Sequence, residues 1–259
     1  MSRITDALNH LANQLWSFAP GSRTPVDLQQ IQLVAHRGAH GATPAGQLIE
    51  NTLAAFDLCL ELGIWGIELD VQPTQDGDLL VHHDPHCGRL FNRPDLVLSD
   101  TSSEQIRQAI PEIPRLAEVI ERYAGKLHLM IEIKTSWRQY PDLPQQVEAL
   151  LKDWQPMQDY HLLSLVPDHL EGFKHTPASA FVDVAEFNSR EIIKENLALG
   201  HGAVAGSFAL LSTAQIHALR QAGRRTGTGM VEKRAIASRE IHRGVDWIFS
   251  DSVVSLLRD

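Results

Sequence analysis

The segment Ile67-Glu68-Leu69-Asp70-Val71 sets two carboxylates among apolar residues at alternate positions. Side chains alternate across an extended strand, so Glu68 and Asp70 share one face while Ile67, Leu69 and Val71 share the other. Two carboxylates side by side on a buried face lose their hydration and repel each other. That arrangement is costly unless a cation sits between them. The pattern recurs in Leu129-Met130-Ile131-Glu132-Ile133-Lys134, where Glu132 and Lys134 share a face. Three carboxylates on two strands describe an all-oxygen site for a hard divalent metal.

These residues need strands to carry them. Short apolar runs at 31–36, 66–71, 127–134, 160–166, 179–186, 202–207, 224–231 and 246–250 read as strands. They alternate with amphipathic segments at 51–62, 114–124, 143–154, 189–199, 212–222 and 233–243, and glycines sit just past several helical runs, as at Gly200 and Gly244. Eight alternations imply an α/β fold, a parallel sheet closed into a (β/α)8 barrel. The 259 residues match the roughly 250 typical of one such barrel. Functional side chains in these barrels gather at the C-terminal ends of the strands. His36-Arg37-Gly38 closes the first strand, Glu68 and Asp70 the second, and Glu132 and Lys134 the third, while His82-His83-Asp84 follows Leu79-Leu80-Val81. The run 79–82 reads as a hairpin-like excursion of the second strand, and 84–113 as a longer loop forming a small lid. Ile4, Leu8, Leu11 and Leu15 recur at helical spacing and lead to Trp16 and Phe18. We expect a helix that plugs the bottom of the barrel, a lipid- or partner-facing helix being the alternative. The organisation is thus a helical extension over 1–30 and one barrel domain over 31–259.

A net charge of −9 argues against nucleic acid or an anionic membrane surface as partner, although a cleft lined by a metal and a few cations still binds phosphate. No run approaches the roughly 18 apolar residues of a membrane span, so integral membrane contact is not expected. Asp6, Asn9 and His10 interrupt any signal-peptide core, which makes a cytoplasmic location the default. Cys59 and Cys87 give no disulfide framework, and Cys59 reads as core beside Phe56 and Leu60. His82 neighbours His83 but points to the opposite face of a continuing strand, a structural position. His36 and His40 lie on a glycine loop rather than a helix, which speaks against a histidine zinc site. His86 and Cys87 read as lid residues.

The chain resembles the glycerophosphodiester phosphodiesterase family. The resemblance rests on His36-Arg37-Gly38, Glu50-Asn51-Thr52, Glu68-Leu69-Asp70, Asp76-Gly77, His83-Asp84, Ile113-Pro114-x-Leu116 and Ile131-Glu132-Ile133-Lys134. These occur in family order over roughly residues 33–135. The resemblance implies a TIM barrel, in agreement with the alternation. It implies Glu68, Asp70 and Glu132 as ligands of one divalent cation, and oxygen-only ligation favours Mg2+ or Ca2+ over zinc. It also implies His36 and His83 as a catalytic pair. An alkoxide is a poor leaving group, so one histidine donates a proton while the other removes one from the nucleophile. We take His36 as base and His83 as acid, an order the sequence leaves open, as it leaves open whether water or a neighbouring substrate hydroxyl attacks. Arg37 and Lys134 bring positive charge toward the phosphate. Glu50 matches a substrate-binding position, hydrogen-bonding a glycerol hydroxyl or orienting a metal-bound water, and Asn51 caps the helix that starts there.

The chain departs from the family pattern in three places. The loop between His36 and Glu50 is about five residues longer than usual, with Ile49 in place of proline. Pro85-His86-Cys87-Gly88-Arg89-Leu90-Phe91 replaces an Arg-Thr-Thr run after His83-Asp84. Arg225-Thr226-Gly227-Thr228-Gly229-Met230 lacks the Trp-Thr pair of the seventh strand, which removes an aromatic wall from the expected pocket, whereas the end of the chain, up to Asp251, returns to a family-like eighth strand. The expected activity is metal-dependent hydrolysis of glycerophosphodiesters to glycerol 3-phosphate and an alcohol. The rival expectations are a lysophospholipase D, favoured if Leu90, Phe91 and the N-terminal helix form an apolar track to the site, and a phosphate-binding barrel without turnover.

Overall fold

A computed structural model describes residues 3–18, 31–43 and 46–258. Eight parallel strands form the barrel: β1 (Gln32–His36), β2 (Gly66–Pro73), β3 (His128–Ile133), β4 (Tyr160–Ser164), β5 (Phe181–Ala185), β6 (Ala203–Ser207), β7 (Arg225–Gly229) and β8 (Trp247–Ser250). Each pairs with the next, and β8 returns to β1 to close the ring. The alternation in β2 sorts its side chains as expected. Ile67, Leu69 and Val71 join the core between barrel and helices. The interior is filled from Val34, Met130, Leu163, Val182, Ala205 and Phe249.

The six expected helices are present as Leu53–Glu61, Leu116–Tyr123, Leu143–Leu151, Ser189–Leu199, Thr213–Gln221 and Arg234–Arg243. Between β4 and β5 the described chain makes only 3-10 turns, Pro167–Gly172 and Ala178–Ala180, and an unforeseen helix, Val253–Arg258, follows β8. Leu79–Val81 pairs antiparallel with the end of β2, as the hairpin-like excursion required. The segment 84–113 is more ordered than a loop. Paired strands His86–Cys87 and Arg93–Val97 and a helix, Ser103–Ala109, pack on Leu80, Leu98, Ile106 and Ile113. Its apolar residues cover the outer end of the hairpin, so the segment is a small satellite core rather than a lid. Phe91 packs against it, and neither Leu90 nor Phe91 lines the cleft described below.

The N-terminal helix, α1 (Arg3–Trp16), corrects another expectation. It sits at the C-terminal mouth of the barrel, not at the bottom. Buried Asn13 decides this: its amide donates to the Met230 carbonyl (2.9 Å) and accepts from the Glu232 amide (2.9 Å), just beyond β7. Asn9 adds a bond to Glu232 (3.0 Å). A helix read only by its apolar spacing gives no hint of this, because the docking is polar. The side chain of Ile4 and residues 19–30 of the expected extension lie outside the described residues. No described helix is long and apolar enough to cross a membrane.

The bottom of the barrel is closed by rings from the strand beginnings. Trp65 stacks on His128 (4.2 Å), His128 Nε2 meets His161 Nδ1 (2.7 Å), and Arg225 lies over Trp247 (4.2 Å). Burial holds His128 down to about 4, and burial with the neighbouring His128 and Arg225 holds His161 down to about 2. Both rings stay neutral in the folded chain, whereas the unfolded chain protonates them below about 6.5. The stability they contribute is complete above pH 6.5 and is lost as pH falls toward the folded values. At pH 5 this amounts to about 2 kcal/mol per ring. His161→Leu is expected to flatten the fall in urea midpoint between about pH 6.5 and 4.5; parallel profiles for parent and variant would contradict neutral burial.

Candidate active site

Barrel register brings the sequence-predicted residues together. His36 on β1 lies beside Glu68 on β2, and Asp70 beside Glu132 on β3. All three carboxylates are buried, and one oxygen from each lies within 4.8 Å of the others. Glu68 Oε1 is buried without a hydrogen-bond partner, and Asp70 Oδ1 makes no hydrogen bond beyond its ion-pair contact with Lys134. Unsatisfied oxygens converging in this way, with no nitrogen or sulfur donor among them, fit a hard divalent cation held by Glu68, Asp70 and Glu132.

The three carboxyls differ in electrostatics. Burial, Asp70 and Glu132 push Glu68 well above the usual carboxylate range. Burial also raises Glu132, with Asp70 and against the pull of Lys134. Burial opposes the charge of Asp70 too, yet Lys134 and Arg37 hold its carboxyl well below the usual range. Lys134 Nζ lies 2.7 Å from Glu132 Oε1 and 3.2 Å from Asp70 Oδ1, and Arg37 Nε 3.2 Å from Asp70 Oδ2. Asp70 is thus the fixed counter-ion of both cations, while Glu68 carries most of the repulsion.

The loop after β1 is bent to make these contacts. Arg37 and Asn51 adopt the left-handed region (φ 58° for each), a conformation that costs non-glycine residues about 1 kcal/mol or more. The bend lets the Arg37 amide donate to Glu68 Oε2 (3.1 Å) and its guanidinium to Glu50 Oε1 (2.8 Å). Gly38 must be glycine: at φ +81° a Cβ would stand 2.8 Å from the Phe56 ring. Asn51 is not the expected cap. Its amide donates to Asp70 Oδ2 (2.8 Å), and Thr52 accepts from the Ala55 amide to cap the helix instead. Glu50 gives its oxygens to Arg37 and to Arg89 (2.6 and 2.9 Å). Burial opposes its charge, but these two arginines bring Glu50 down to about 2.

Each predicted histidine has a carboxylate partner. His36 Nδ1 meets Asp251 Oδ1 at 2.6 Å, and its Nε2 lies 3.8 Å from Glu68 Oε2. His83 Nδ1 meets Asp84 Oδ1 at 2.7 Å. Gln72 fixes the His83 loop by donating to the carbonyls of His82, His83 and Asp84 (3.0, 2.7 and 2.9 Å). Burial lowers His83 to about 4, opposed by Asp70 and assisted by Arg37 and Lys134. His82 is buried and turned toward the His86 carbonyl (3.3 Å), a structural residue as read from the sequence. His40 lies 3.2 Å from the same Asp251 oxygen, so the His36–His40 pair gathers on a carboxylate.

A cleft of about 470 Å³ opens over these groups, within the range of small-molecule sites. His36, Arg37, Glu68, His83, Glu132 and Lys134 line it. On β7, where the family aromatic is missing, a Cβ at Gly227 would stand 2.7 Å from the Phe249 ring, and Phe249 of β8 lines the cleft in its stead. A second hollow, of about 530 Å³, lies on the helix layer beside Trp154 and Tyr160; its Glu148 is occupied with the amides of His175 and Thr176. It holds none of the chemistry above. Sequence reading gives no role to Asp251 or Arg89. A carboxylate one position past β8 is the available signal for Asp251, since closure of a barrel sets β8 beside β1.

A glycerophosphoryl diester phosphodiesterase family model matches residues 36–255. A glycerophosphodiester phosphodiesterase of Caldanaerobacter subterraneus is 37% identical over 134 residues, which are 47% of this chain and 53% of the relative. The chain thus spans about half the length of that relative. A solved glycerophosphodiester phosphodiesterase from Agrobacterium tumefaciens superposes with a TM-score of 0.71 at 24% identity, over 88% of this chain and 100% of the other. An Oleispira antarctica phosphodiesterase, solved in complex with the product sn-glycerol-3-phosphate, superposes with a TM-score of 0.69 at 23% identity, over 86% of this chain and 95% of the other. The family match runs from the end of β1 to the last helix and takes in every residue of the cluster, so the chain belongs to the glycerophosphoryl diester phosphodiesterase family.

Proposed function

We propose that this chain hydrolyses glycerophosphodiesters to glycerol 3-phosphate and an alcohol. The observation that carries the reading is the convergence of Glu68, Glu132, His36, His83 and Lys134 on one cleft, with Asp70 buried against the two glutamates, in a chain of this family. The neighbour that holds sn-glycerol-3-phosphate supports it by naming a product of that chemistry. A divalent cation on Glu68, Asp70 and Glu132, Mg2+ or Ca2+, would supply Lewis-acid stabilisation of charge developing on the phosphate.

The chain's own groups do the rest. Lys134 and Arg37 draw the phosphate to the cleft, and Asp70 keeps both cations in place. Asp251 holds Nδ1 of His36, leaving Nε2 to take a proton from the attacking hydroxyl, the division of labour familiar from carboxylate–histidine pairs. His83, oriented by Asp84, delivers a proton to the departing alcohol oxygen. The phosphate's negative charge beside the ring raises its hold on that proton. Glu50, expected to bind substrate, is gripped by Arg37 and Arg89 and holds the Arg37 guanidinium beside the site rather than lining the cleft itself.

The first test is glycerol 3-phosphate release from glycerophosphocholine in EDTA and after Mg2+ or Ca2+ is restored. Release only with metal is expected. A folded protein that releases nothing with either ion would overturn the reading in favour of a binding barrel without turnover.

A further inference from the structure

The cleft that holds the charged cluster also has a large apolar lining. Leu8, Leu11 and Leu15 of α1 line it, joined by Phe187 after β5 and Leu210 after β6. These side chains are also open to solvent: Leu8 is 52%, Leu11 54%, Leu15 57%, Phe187 72% and Leu210 44% exposed. A contiguous apolar strip at the mouth of a site marks a ligand surface. A substrate as polar as glycerophosphocholine gives such a strip nothing to bury. The strip is continuous with the charged cluster in one cleft, and the Asn13 and Asn9 bonds to the loop after β7 fix which face of α1 looks inward. By helical rise, Leu8 to Leu15 measures about 10 Å, the reach of roughly eight extended methylenes.

We propose that the substrate is an amphiphile: a glycerophosphodiester that carries one long acyl chain, its phosphate at the Lys134 end and its chain along Leu8, Leu11, Leu15 and Phe187. The inference rests on the phosphodiesterase reading above and names its substrate class. The chain enters either on the glycerol, as in lysophosphatidylcholine, or on the departing alcohol, as in N-acyl glycerophosphoethanolamine; both offer the same apolar tail to the same strip. A bilayer is the weaker occupant. From Ala7 to Phe18 the sequence holds no Lys or Arg, and the whole chain carries −9. An anionic membrane surface wants the opposite charge.

The experiment measures kcat/KM with metal for glycerophosphocholine, for lysophosphatidylcholines of six to fourteen carbons below their micellar concentrations, and for N-acyl glycerophosphoethanolamines of the same lengths. The parent protein and the Leu11→Ser/Phe187→Ser variant, altered only at exposed positions, are compared. For a half-open groove we expect about twofold per methylene over the first eight or so, on the order of a hundredfold in all. The series that rises identifies where the chain is attached, and the double variant should lose at least about tenfold of that gain. Binding of the same lysophosphatidylcholines in EDTA, by calorimetry, gives a readout that needs no turnover and should show the same ordering. Flat length dependence in both readouts with glycerophosphocholine turned over would overturn the inference and leave the phosphodiesterase reading intact. Absence of all turnover would sink that reading, while the binding series would still decide this one. Sedimentation with phosphatidylcholine vesicles, combined with no length dependence for monomeric lipids, would replace the acyl groove by a membrane-docking face.

Discussion

Glu68→Gln is expected to lower metal-dependent turnover by a thousandfold or more, on the order of what a catalytic cation contributes to charge stabilisation. The same substitution should stabilise the barrel in EDTA. Glu68 is fully buried, and burial with Asp70 and Glu132 pushes its carboxyl up, so its ionised form opposes folding at neutral pH. The sign follows from proton uptake. A carboxyl whose folded value lies above its unfolded value of about 4.5 binds protons on folding, so parent stability in EDTA rises as pH falls through the folded value toward 4.5. Glu68→Gln holds that gain already at pH 7 and should show a Tm higher by a few degrees there. Asp70→Asn behaves oppositely. It abolishes turnover as well, but strands Arg37 and Lys134 beside a neutral group, at a cost of about 3 kcal/mol. Thermal melts in EDTA separate the two carboxylates, and normal metal-dependent activity in either variant would sink the site assignment.

His83→Ala is expected to slow choline release from glycerophosphocholine by about a thousandfold or more, within the range of general acid catalysis. The loss on a p-nitrophenyl phosphodiester should be about tenfold at most, because p-nitrophenolate departs without a proton. Equal losses on both substrates would show that His83 is not the proton donor. His36→Ala should reduce both rates together, since a base on the attacking side acts whatever group leaves. The comparison settles an order that spacing leaves open. His36 and His83 both sit at strand ends with a carboxylate on Nδ1, Asp251 for one and Asp84 for the other. Only the identity of the leaving oxygen tells them apart.

Much of this site is legible in the amino-acid sequence. Polar residues at alternate positions in apolar runs place Glu68, Asp70 and Glu132 on interior faces, because an interior carboxylate is expensive enough to be a signal by itself. Eight strands are legible for the same reason: period-two and continuous apolar runs are local properties, and their ends shift by at most two residues in the fold. Local reading fails where a contact joins distant parts of the chain. The Asn51 amide goes to Asp70, 19 residues on, rather than to its own helix. Segment 84–113 reads as a loop because its strands and helix are short, and only packing on Leu80 gives them stability.

By itself the sequence determined the barrel, the face on which each carboxylate lies, and the chemistry that those oxygens and imidazoles can do. Tertiary structure alone decided what each face meets. It brought Asp251 to His36 across 215 residues, and Asn13 to the loop after β7 across 217. The second contact turned a helix expected at the bottom of the barrel into part of the apolar lining of the candidate active-site cleft. Periodicity encodes the side of an element that seeks cover, but not which element supplies it. That choice is made by closure of the barrel and by the polar groups that find partners only when it closes.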